Sequence, residues 1–349
     1  MTMRLSRRRF LKGAAAVLPA GMFAATPALT QLASPSAPAS LEVNACPIAS
    51  FDPRDATHVR YGSLEFRSGL VLTSSFKGFG GLSALHLDKK GEQFISLSDK
   101  GDWFTGRLVY SGKNLKGEIL KGMADVKSAP MLGSDGKPIA DRGWFDTEAL
   151  AFDGPYAYVG IERVNQILRF DFSKGGIRAR GEPIAVPPEL SKLPFNKGIE
   201  SLVFVPKGQP LAGTLIAISE RGLDSSGNTI GFLIGGPSPG QFSVTRTRDF
   251  DISDAMLLAG DLLILERKFS IAKGVGIRIR RVPLASVRPD ALIDGPTIFE
   301  VDLAYEIDNM EGIDAHVTED GDTVLTMISD DNFSMIQRTL LLQFTLVDP

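Results

Sequence analysis

A short pattern recurs five times along this chain and constrains its fold more than any other feature of the sequence. Each copy begins with a turn and a small or acidic residue at the start of an apolar run. It ends with a second apolar run that closes on an acid, usually followed by a base. The clearest copy runs from Gly198-Ile199-Glu200-Ser201-Leu202 to Leu215-Ile216-Ala217-Ile218-Ser219-Glu220-Arg221. The five opening residues, spaced roughly 50 to 65 positions apart, are Ser83, Glu148, Glu200, Asp254 and Glu311.

A repeat of this length, built from pairs of short strands, is typical of an array of blades. The sequence therefore predicts an all-β fold, a β-propeller with five to six blades of four-stranded antiparallel sheet. Five copies favour five blades, and the long interval between Ser83 and Glu148 leaves room for a sixth. We expect residues 59–66 and 70–74 to form two strands joined by a hairpin at 67–69. These strands are expected to complete a sheet begun by the C-terminal run 339–346, which closes the ring and removes exposed sheet edges.

The two runs of each copy should be neighbouring antiparallel strands, so that the first residue of one lies beside the last residue of the other. The opening and closing acids of a copy are then expected at the same end of the blade, near the central channel. The five closing acids are Asp99, Glu162, Glu220, Glu266 and Asp330. The sequence thus predicts an acidic funnel at one channel mouth, with arginine and lysine interleaved.

Composition narrows the function. The chain has 349 residues and a formal net charge of -3, but residues 1–41 contain five bases and no acid. Without that segment, 33 basic residues face 41 acidic ones. An acidic protein of this kind is a poor candidate for binding nucleic acid or an anionic membrane.

The N-terminus predicts export. Ser6-Arg7-Arg8-Arg9-Phe10-Leu11-Lys12 matches the twin-arginine pattern, and the apolar stretch from Ala14 to Ala25 is too short to be a membrane anchor. We expect residues 1–39 to be a signal peptide and linker read by the twin-arginine export machinery, and residues 40–349 to be a single domain. Cys46 is the sole cysteine, so no internal disulfide forms. A lipid anchor at Cys46 is the less favoured alternative to a periplasmic or secreted soluble protein.

Carboxylates that converge on a channel mouth repel one another unless something offsets their charge. A hard divalent cation would do so, and calcium accepts several carboxylate oxygens in flexible geometry. The residues expected to hold it are Asp99, Glu148, Glu200, Glu311 and Asp330. Glu200 is also expected to act in catalysis, with Glu220 and Glu266 as further choices for ligand or general base.

The bases interleaved with these acids are suited to an anionic substrate, since guanidinium groups bind phosphate through paired hydrogen bonds. Those expected to bind it are Lys100, Arg163, Arg221, Arg267 and Lys268. Together with a cation that activates water, they predict a hydrolase acting on a small anionic ester, of phosphate or a related acid. The alternatives are a propeller lactonase or carboxylic esterase, and a non-catalytic binding or scaffold propeller whose acids serve only as salt-bridge and hydrogen-bond partners.

Six segments of the chain, taken together, are characteristic. They are Gly80-Gly81-Leu82-Ser83-Ala84-Leu85, Ile95-Ser96-Leu97-Ser98-Asp99-Lys100-Gly101, Gly198-Ile199-Glu200-Ser201-Leu202, Leu265-Glu266-Arg267-Lys268-Phe269-Ser270, Asn309-Met310-Glu311-Gly312-Ile313 and Ile328-Ser329-Asp330-Asp331-Asn332-Phe333-Ser334. These segments resemble one known family, the phytase-like propellers, described by esterase-like activity of phytase. The resemblance spans roughly residues 57–347 in consistent order. It implies a propeller fold and hydrolysis of phosphate esters. The Asp-Ala-Asp-Asp-Pro type strand of the calcium-dependent propeller phytases does not occur here, so none of their site residues is carried over.

Overall fold

The computed structural model describes residues 37–114, 117–270 and 274–347, and it arranges them as a five-bladed β-propeller. The all-β prediction is confirmed, and the described residues form five blades rather than six. Among these residues, no helix has the length and apolar character needed to cross a membrane.

The strands follow one another blade by blade. The N-terminal strands are β1 (Ala39–Ser40), β2 (Asn44–Pro47), β3 (Arg60–Tyr61) and β4 (Leu64–Thr73). Blade 1 is built from β5 (Leu82–Leu87), β6 (Gln93–Ser98), β7 (Asp102–Asn114) and β8 (Gly117–Pro130). Blade 2 contains β9 (Leu132–Gly133), β10 (Thr147–Asp153), β11 (Tyr156–Ile161), β12 (Gln166–Asp171) and β13 (Arg180–Pro183). Blade 3 contains β14 (Ile199–Phe204), β15 (Thr214–Leu223), β16 (Thr229–Gly235) and β17 (Gly240–Val244).

Blade 4 contains β18 (Asp251–Leu258), β19 (Asp261–Ser270), β20 (Gly274–Pro283) and, after β21 (Leu292–Ile293), β22 (Thr297–Asp302). The short strand β21 pairs in parallel with β17 at the outer edge of blade 3. Blade 5 contains β23 (Asn309–Val317), β24 (Thr323–Asp330) and β25 (Thr339–Leu346), together with β4, β2 and β3. Six single-turn 3-10 helices lie in the described connections, at Ile139–Arg142, Glu162–Val164, Phe172–Lys174, Gly176–Arg178, Leu190–Lys192 and Leu284–Ser286.

The ring closes where the N-terminal strand β4 meets the C-terminal strand β25, as predicted. Strand β4 pairs antiparallel with β25 from Leu64 beside Leu346 to Leu72 beside Thr339. The predicted hairpin at residues 67–69 is wrong, because β4 runs through these positions as one strand. Gly69 serves close packing rather than a turn, since a Cβ there would lie 2.8 Å from a methyl carbon of Leu342.

The core lies between blades, where apolar side chains of facing sheets interdigitate. Between blades 1 and 2, for example, the fully buried Trp103 meets Phe170 edge to face, with 5.2 Å between the ring centroids. Edge-to-face contacts are favoured by the ring quadrupoles, and two buried rings contribute a large apolar area. This packing fixes each blade against the next and so fixes the strand ends that surround the channel.

Each innermost strand carries a β-bulge near its start. The strand pairing shifts between Leu82 and Ala84, Thr147 and Ala149, Ile199 and Ser201, Ile252 and Asp254, and Met310 and Gly312. A bulge leaves one extra residue unpaired and redirects its side chain. The extra residues, at equivalent positions in the five blades, are Ser83, Glu148, Glu200, Ser253 and Glu311.

Candidate functional site

The bulged strand ends surround a cavity of about 170 Å³ at one mouth of the channel. Every side chain that lines it carries a charge or an amide. Eight carboxylates are accompanied by two cations and three asparagines. The lining residues are Asp99, Asp146, Glu148, Glu162, Asn196, Lys197, Glu200, Glu220, Arg267, Asn309, Glu311, Asp330 and Asn332.

A larger cavity, of about 450 Å³, lies among other residues that include Arg67, Tyr110 and His316. It adjoins the turns after β5 and β23, at the opposite ends of these inner strands. Because none of the repeated opening or closing residues faces it, we place the candidate site at the acidic mouth.

Strand pairing corrects the assignment in blade 4 by one residue. In blade 3, Ile199 pairs with Ser219, and Glu220 follows as the closing residue. In blade 4, Ile252 pairs with Glu266, so the closing residue is Arg267. A shift of one position along a strand moves a side chain to the opposite face. Arg267 therefore faces the cavity in place of an acid, and Ser253 rather than Asp254 occupies the bulge.

Arg267 is the counter-ion of one half of the cavity. Its guanidinium nitrogens lie 3.1 Å from Glu311, 3.3 Å from Glu220 and 3.4 Å from Glu200. Burial opposes its charge, but these three carboxylates outweigh burial and hold the pKa of Arg267 above its usual value. Lys197 adds a second cation, with Nζ 2.5 Å from Glu220. Two cations thus lie against three acids in this half of the cavity, and the guanidinium of Arg267 forms part of the cavity wall.

The other half of the cavity is less compensated. Among the described residues, Glu148 has no hydrogen-bond or ion-pair partner, and burial followed by the charges of Glu311, Glu162, Asp330 and Asp99 raises its pKa well above the usual value. Burial likewise raises the pKa of Asp330 to about 7. It also raises the pKa of Asp99 to about 6.

Two further acids of the cavity lining, Glu311 and Glu162, also have raised pKa values. Burial raises the pKa of Glu311 to about 8, even though Arg267 works in the opposite direction. Its Oε1 accepts a hydrogen bond from Asn309 at 2.8 Å, while its buried Oε2 has no hydrogen-bond partner among the described residues. Burial raises the pKa of Glu162 to about 7, although the backbone N–H of Gly198 donates to its Oε1 at 2.8 Å. The cavity therefore retains protons near neutral pH.

Four of the five predicted anion-binding bases lie outside the cavity lining. Lys100 places its Nζ 2.9 Å from the ring centroid of Phe333, and Lys268 lies 4.4 Å from that of Phe250. Arg163 is held near Asp146, at 3.5 Å. Arg221 is paired with Asp251 in an ion pair. Only Arg267 among the predicted bases reaches the cavity.

Glu266 is not brought to the site. It is about 1% exposed and lies between two buried arginines, 2.7 Å from Arg278 and 2.6 Å from Arg280. Asp254 also leaves the cavity: it accepts backbone hydrogen bonds from Ala255 at 2.8 Å and Ile313 at 2.9 Å, which link blades 4 and 5. Both residues have structural partners, as the one-residue shift in blade 4 requires.

The structure adds residues that the sequence did not single out as site residues. Asp146, Asn196 and Lys197 lie in the loops just before β10 and β14. Nothing in the repeat marks these loop positions, because their placement depends on how each loop crosses the channel mouth. Glu162 could have been included, since it occupies the same closing position as Glu220.

The cavity has the donor chemistry for a hard cation but not a finished coordination geometry. Carboxylate oxygens are preferred ligands of calcium, and the unpartnered Oε2 of Glu311 together with the uncompensated Glu148 leaves acceptors available. Within the described residues, no three His, Cys, Asp or Glu side chains are already grouped as a metal site. The residues that fit a cation in chemistry are Asp99, Glu148, Glu200, Glu311 and Asp330, and side-chain rotation would be needed to bring them around one ion.

Comparison with known proteins gives one match to a family. The model of the family described as phytase-like, esterase-like activity of phytase, matches residues 77–333. None of the curated proteins matches the chain.

Solved structures give distant likenesses. The chain is similar to glutaminyl cyclase from Myxococcus xanthus, with 10% identity over 82% of this chain and 97% of that one and a TM-score of 0.38. It is also similar to an endo-arabinase from Bacteroides thetaiotaomicron, with 13% identity over 75% of this chain and 93% of that one and a TM-score of 0.42. A third likeness is to the PQQ-bound aldose sugar dehydrogenase from Streptomyces coelicolor, with 13% identity over 88% of this chain and 99% of that one and a TM-score of 0.38. Likeness at this level supports no statement about activity.

Proposed function

Since this chain belongs to the phytase-like family, described by esterase-like activity of phytase, we propose that it hydrolyses phosphate or related esters at the acidic channel mouth. The observation that carries the proposal is Arg267, the single guanidinium that lines a cavity of eight carboxylates. A guanidinium fork matches the paired oxygens of a phosphate or carboxylate. The reacting group of the ester is therefore assigned to the wall formed by Arg267.

A divalent cation is part of the proposal because of the charge balance. Eight carboxylates against two cations would repel an anionic ester, and protonation alone offsets this only at lower pH. We assign the cation, calcium in the simplest case, to Asp99, Glu148 and Asp330 with support from Glu200 and Glu311. When bound, it would supply a Lewis acid and lower the pKa of a bound water.

Proton transfer is assigned to carboxyl groups of the chain. Glu200 and Glu220 remain candidates because both line the cavity and contact Arg267. Glu162 and Asp330 join them, since a carboxyl group with a pKa of about 7 can accept or give a proton at neutral pH. Glu266 is withdrawn because it is enclosed by Arg278 and Arg280.

A second candidate is a non-catalytic binding propeller. The observation that favours it is the same Arg267, whose contacts with Glu200, Glu220 and Glu311 could serve only to neutralise buried acids. A lactonase or carboxylic esterase is the third possibility, and only its substrate would distinguish it from the proposed hydrolase of phosphate esters.

The deciding experiment is an ester panel with and without calcium. Protein purified without chelator is assayed for metal content and then for phosphate release from phosphomonoesters and for hydrolysis of carboxylic esters and lactones. Calcium-dependent phosphate release that Glu148→Gln abolishes supports the proposal. Turnover of lactones without phosphate release selects the third candidate, and no turnover with any substrate selects the second.

We also propose that the chain is exported to the periplasm or beyond the cell. The twin-arginine segment at residues 6–12 lies outside the described residues, so the proposal depends on the sequence pattern. Replacing Arg7 and Arg8 by lysine should retain the protein in the cytoplasm. Fractionation that finds this variant exported as well as the natural sequence would contradict the assignment.

A further inference from the structure

The four most exposed large apolar side chains of the described residues lie in loops and at a strand end on the same side of the sheets as the acidic mouth. They form what we call the apolar rim, which consists of Phe195, Phe269, Met335 and Ile336. Their exposed fractions are 66%, 74%, 103% and 91%, respectively. Single exposed apolar residues are common on proteins, but several that border one opening are typical of a place where an apolar partner binds.

Each residue of the apolar rim is close in sequence to a residue that lines the cavity. Phe195 directly precedes Asn196 and Lys197, and Phe269 follows Arg267 by two positions. Met335 and Ile336 lie in the loop between β24 and β25, which also contains Asn332, another lining residue.

One rim residue is joined to the cavity wall by contacts as well as by sequence. The ring of Phe195 lies 4.9 Å from the guanidinium of Arg163, which also stacks on Phe145 at 4.1 Å. The same guanidinium lies 3.5 Å from Asp146, a lining residue. A ligand that leaves the cavity on this side meets aromatic surface at once.

The size of the cavity limits what it can hold. Sites for whole small molecules usually measure roughly 300 to 1,000 Å³, whereas this cavity measures about 170 Å³. A phosphate or carboxylate head group fits such a volume, but the alcohol part of most esters does not. The remainder of the substrate must therefore lie across the mouth, against the side chains that border it.

From these observations we propose that the substrate is an amphiphilic ester, whose charged head occupies the acidic cavity while an alkyl or aryl portion lies on the apolar rim. This inference rests on the proposed function and adds the substrate class. Burying alkyl groups on Phe195, Phe269, Met335 and Ile336 would favour binding through the hydrophobic effect. Arg267 would hold the head in the same position for every member of the class.

The test is equilibrium binding of n-alkyl phosphates from ethyl to octyl, measured by titration calorimetry at fixed calcium and below micelle formation. Affinity should rise about twofold for each added methylene, which is less than for complete burial because the rim is open to solvent. Replacing Phe195 and Phe269 together by serine, or Met335 and Ile336 together by serine, should flatten this dependence and leave ethyl phosphate binding unchanged. The control is Leu292→Ser, which removes an exposed apolar side chain of β21 outside the apolar rim.

Each outcome decides. Equal affinity for ethyl and octyl phosphate, with both bound, overturns the amphiphilic class while the proposed function stands. No binding of any alkyl phosphate refutes both. Two further results would overturn the inference if affinity showed no dependence on chain length. Sedimentation with phosphatidylcholine vesicles that depends on the apolar rim would favour a lipid surface as the partner. A dimer that the rim variants dissociate would favour a second copy of the chain.

Discussion

Arg267 of blade 4 and Glu220 of blade 3 occupy equivalent positions in their blades, and Arg267 Nη2 lies 3.3 Å from Glu220 Oε1. Each follows the residue that pairs with the isoleucine before the bulge. The ring of closing residues is thus acidic in four blades and basic in one. This single exchange of charge gives the cavity one side lined by carboxylates alone and one side where a guanidinium lies among them.

Replacing Arg267 by glutamine should weaken binding of ethyl phosphate in the presence of calcium by about 10- to 100-fold, which corresponds to the loss of a charged hydrogen bond. The same change should raise affinity for calcium, because Glu200, Glu220 and Glu311 lose their counter-ion. Calorimetric titration with each ligand measures both effects. The matched control is Arg221→Gln, whose side chain pairs with Asp251 outside the cavity lining. Equal losses in the two variants would show that Arg267 has no special role.

Stability without metal should fall as the pH rises. Burial raises the pKa of Asp330 from 3.8 to about 7 and that of Asp99 to about 6, so the folded state binds more protons than the unfolded chain between about pH 4 and 8. The free energy of unfolding then decreases through that window. Asp330→Asn keeps a side-chain acceptor but cannot ionise. It should therefore be more stable than the natural sequence at pH 8.5, as measured by thermal unfolding in chelator.

The control for this pH effect is the exposed Glu319→Gln, at the turn between β23 and β24. Its unfolding temperature should follow that of the natural sequence at every pH. A stability profile that is flat between pH 5 and 8.5, or an Asp330→Asn variant that loses stability with the same slope, would refute the assignment of buried protonated acids.

Calcium should reverse the alkaline destabilisation. A cation that binds the ionised acids stabilises the folded state by mass action, and its binding displaces the protons held by Glu148, Asp330 and Glu311. Titration calorimetry in two buffers of different ionisation enthalpy measures the proton release. Glu148→Gln should weaken calcium binding strongly, while Glu182→Gln on the outer strand of the same blade should not. Calcium binding without any proton release would contradict the proposed displacement of protons from these acids.

Replacing Glu266 by glutamine should destabilise the fold by about 3 to 5 kcal/mol, because two buried arginines then lack their shared counter-ion. Denaturant unfolding measures the loss. The control is Asp294→Asn, which removes the half-exposed partner of Arg280 and should cost about 1 kcal/mol or less. If Glu266→Gln abolished ester binding while the free energy of unfolding stayed the same, the structural role assigned to this residue would be wrong.

The fold followed from the sequence because its signal is repeated. Each inner strand is an apolar run that follows a turn. The apolar C-terminal run 339–346 likewise predicts a strand that pairs with N-terminal residues. Glu200 and Glu311 could be placed at the channel mouth since both begin an inner strand, and Asp99 and Asp330 since both end the next one. Position at a strand end was sufficient for these four.

Blade 4 could not be placed by sequence alone. Both Ser253 and Asp254 suit the opening position, and Glu266 stands beside Arg267 at the close. The pairing of Ile252 with Glu266 decides between the alternatives, and that pairing is a property of the folded sheet. The other predicted anion-binding bases lie outside the cavity lining for a related reason: Lys100, for example, is held by Phe333, which is remote in sequence.

The five bulges separate the direction of a side chain from its identity. Backbone geometry redirects one residue per blade whether that residue is glutamate, as at Glu148, or serine, as at Ser83 and Ser253. Single substitutions at these positions would change the ligand set while leaving every strand pair in place. The propeller therefore has five equivalent bulge positions at which selection could change the side chain, and with it the chemistry, without rebuilding the scaffold.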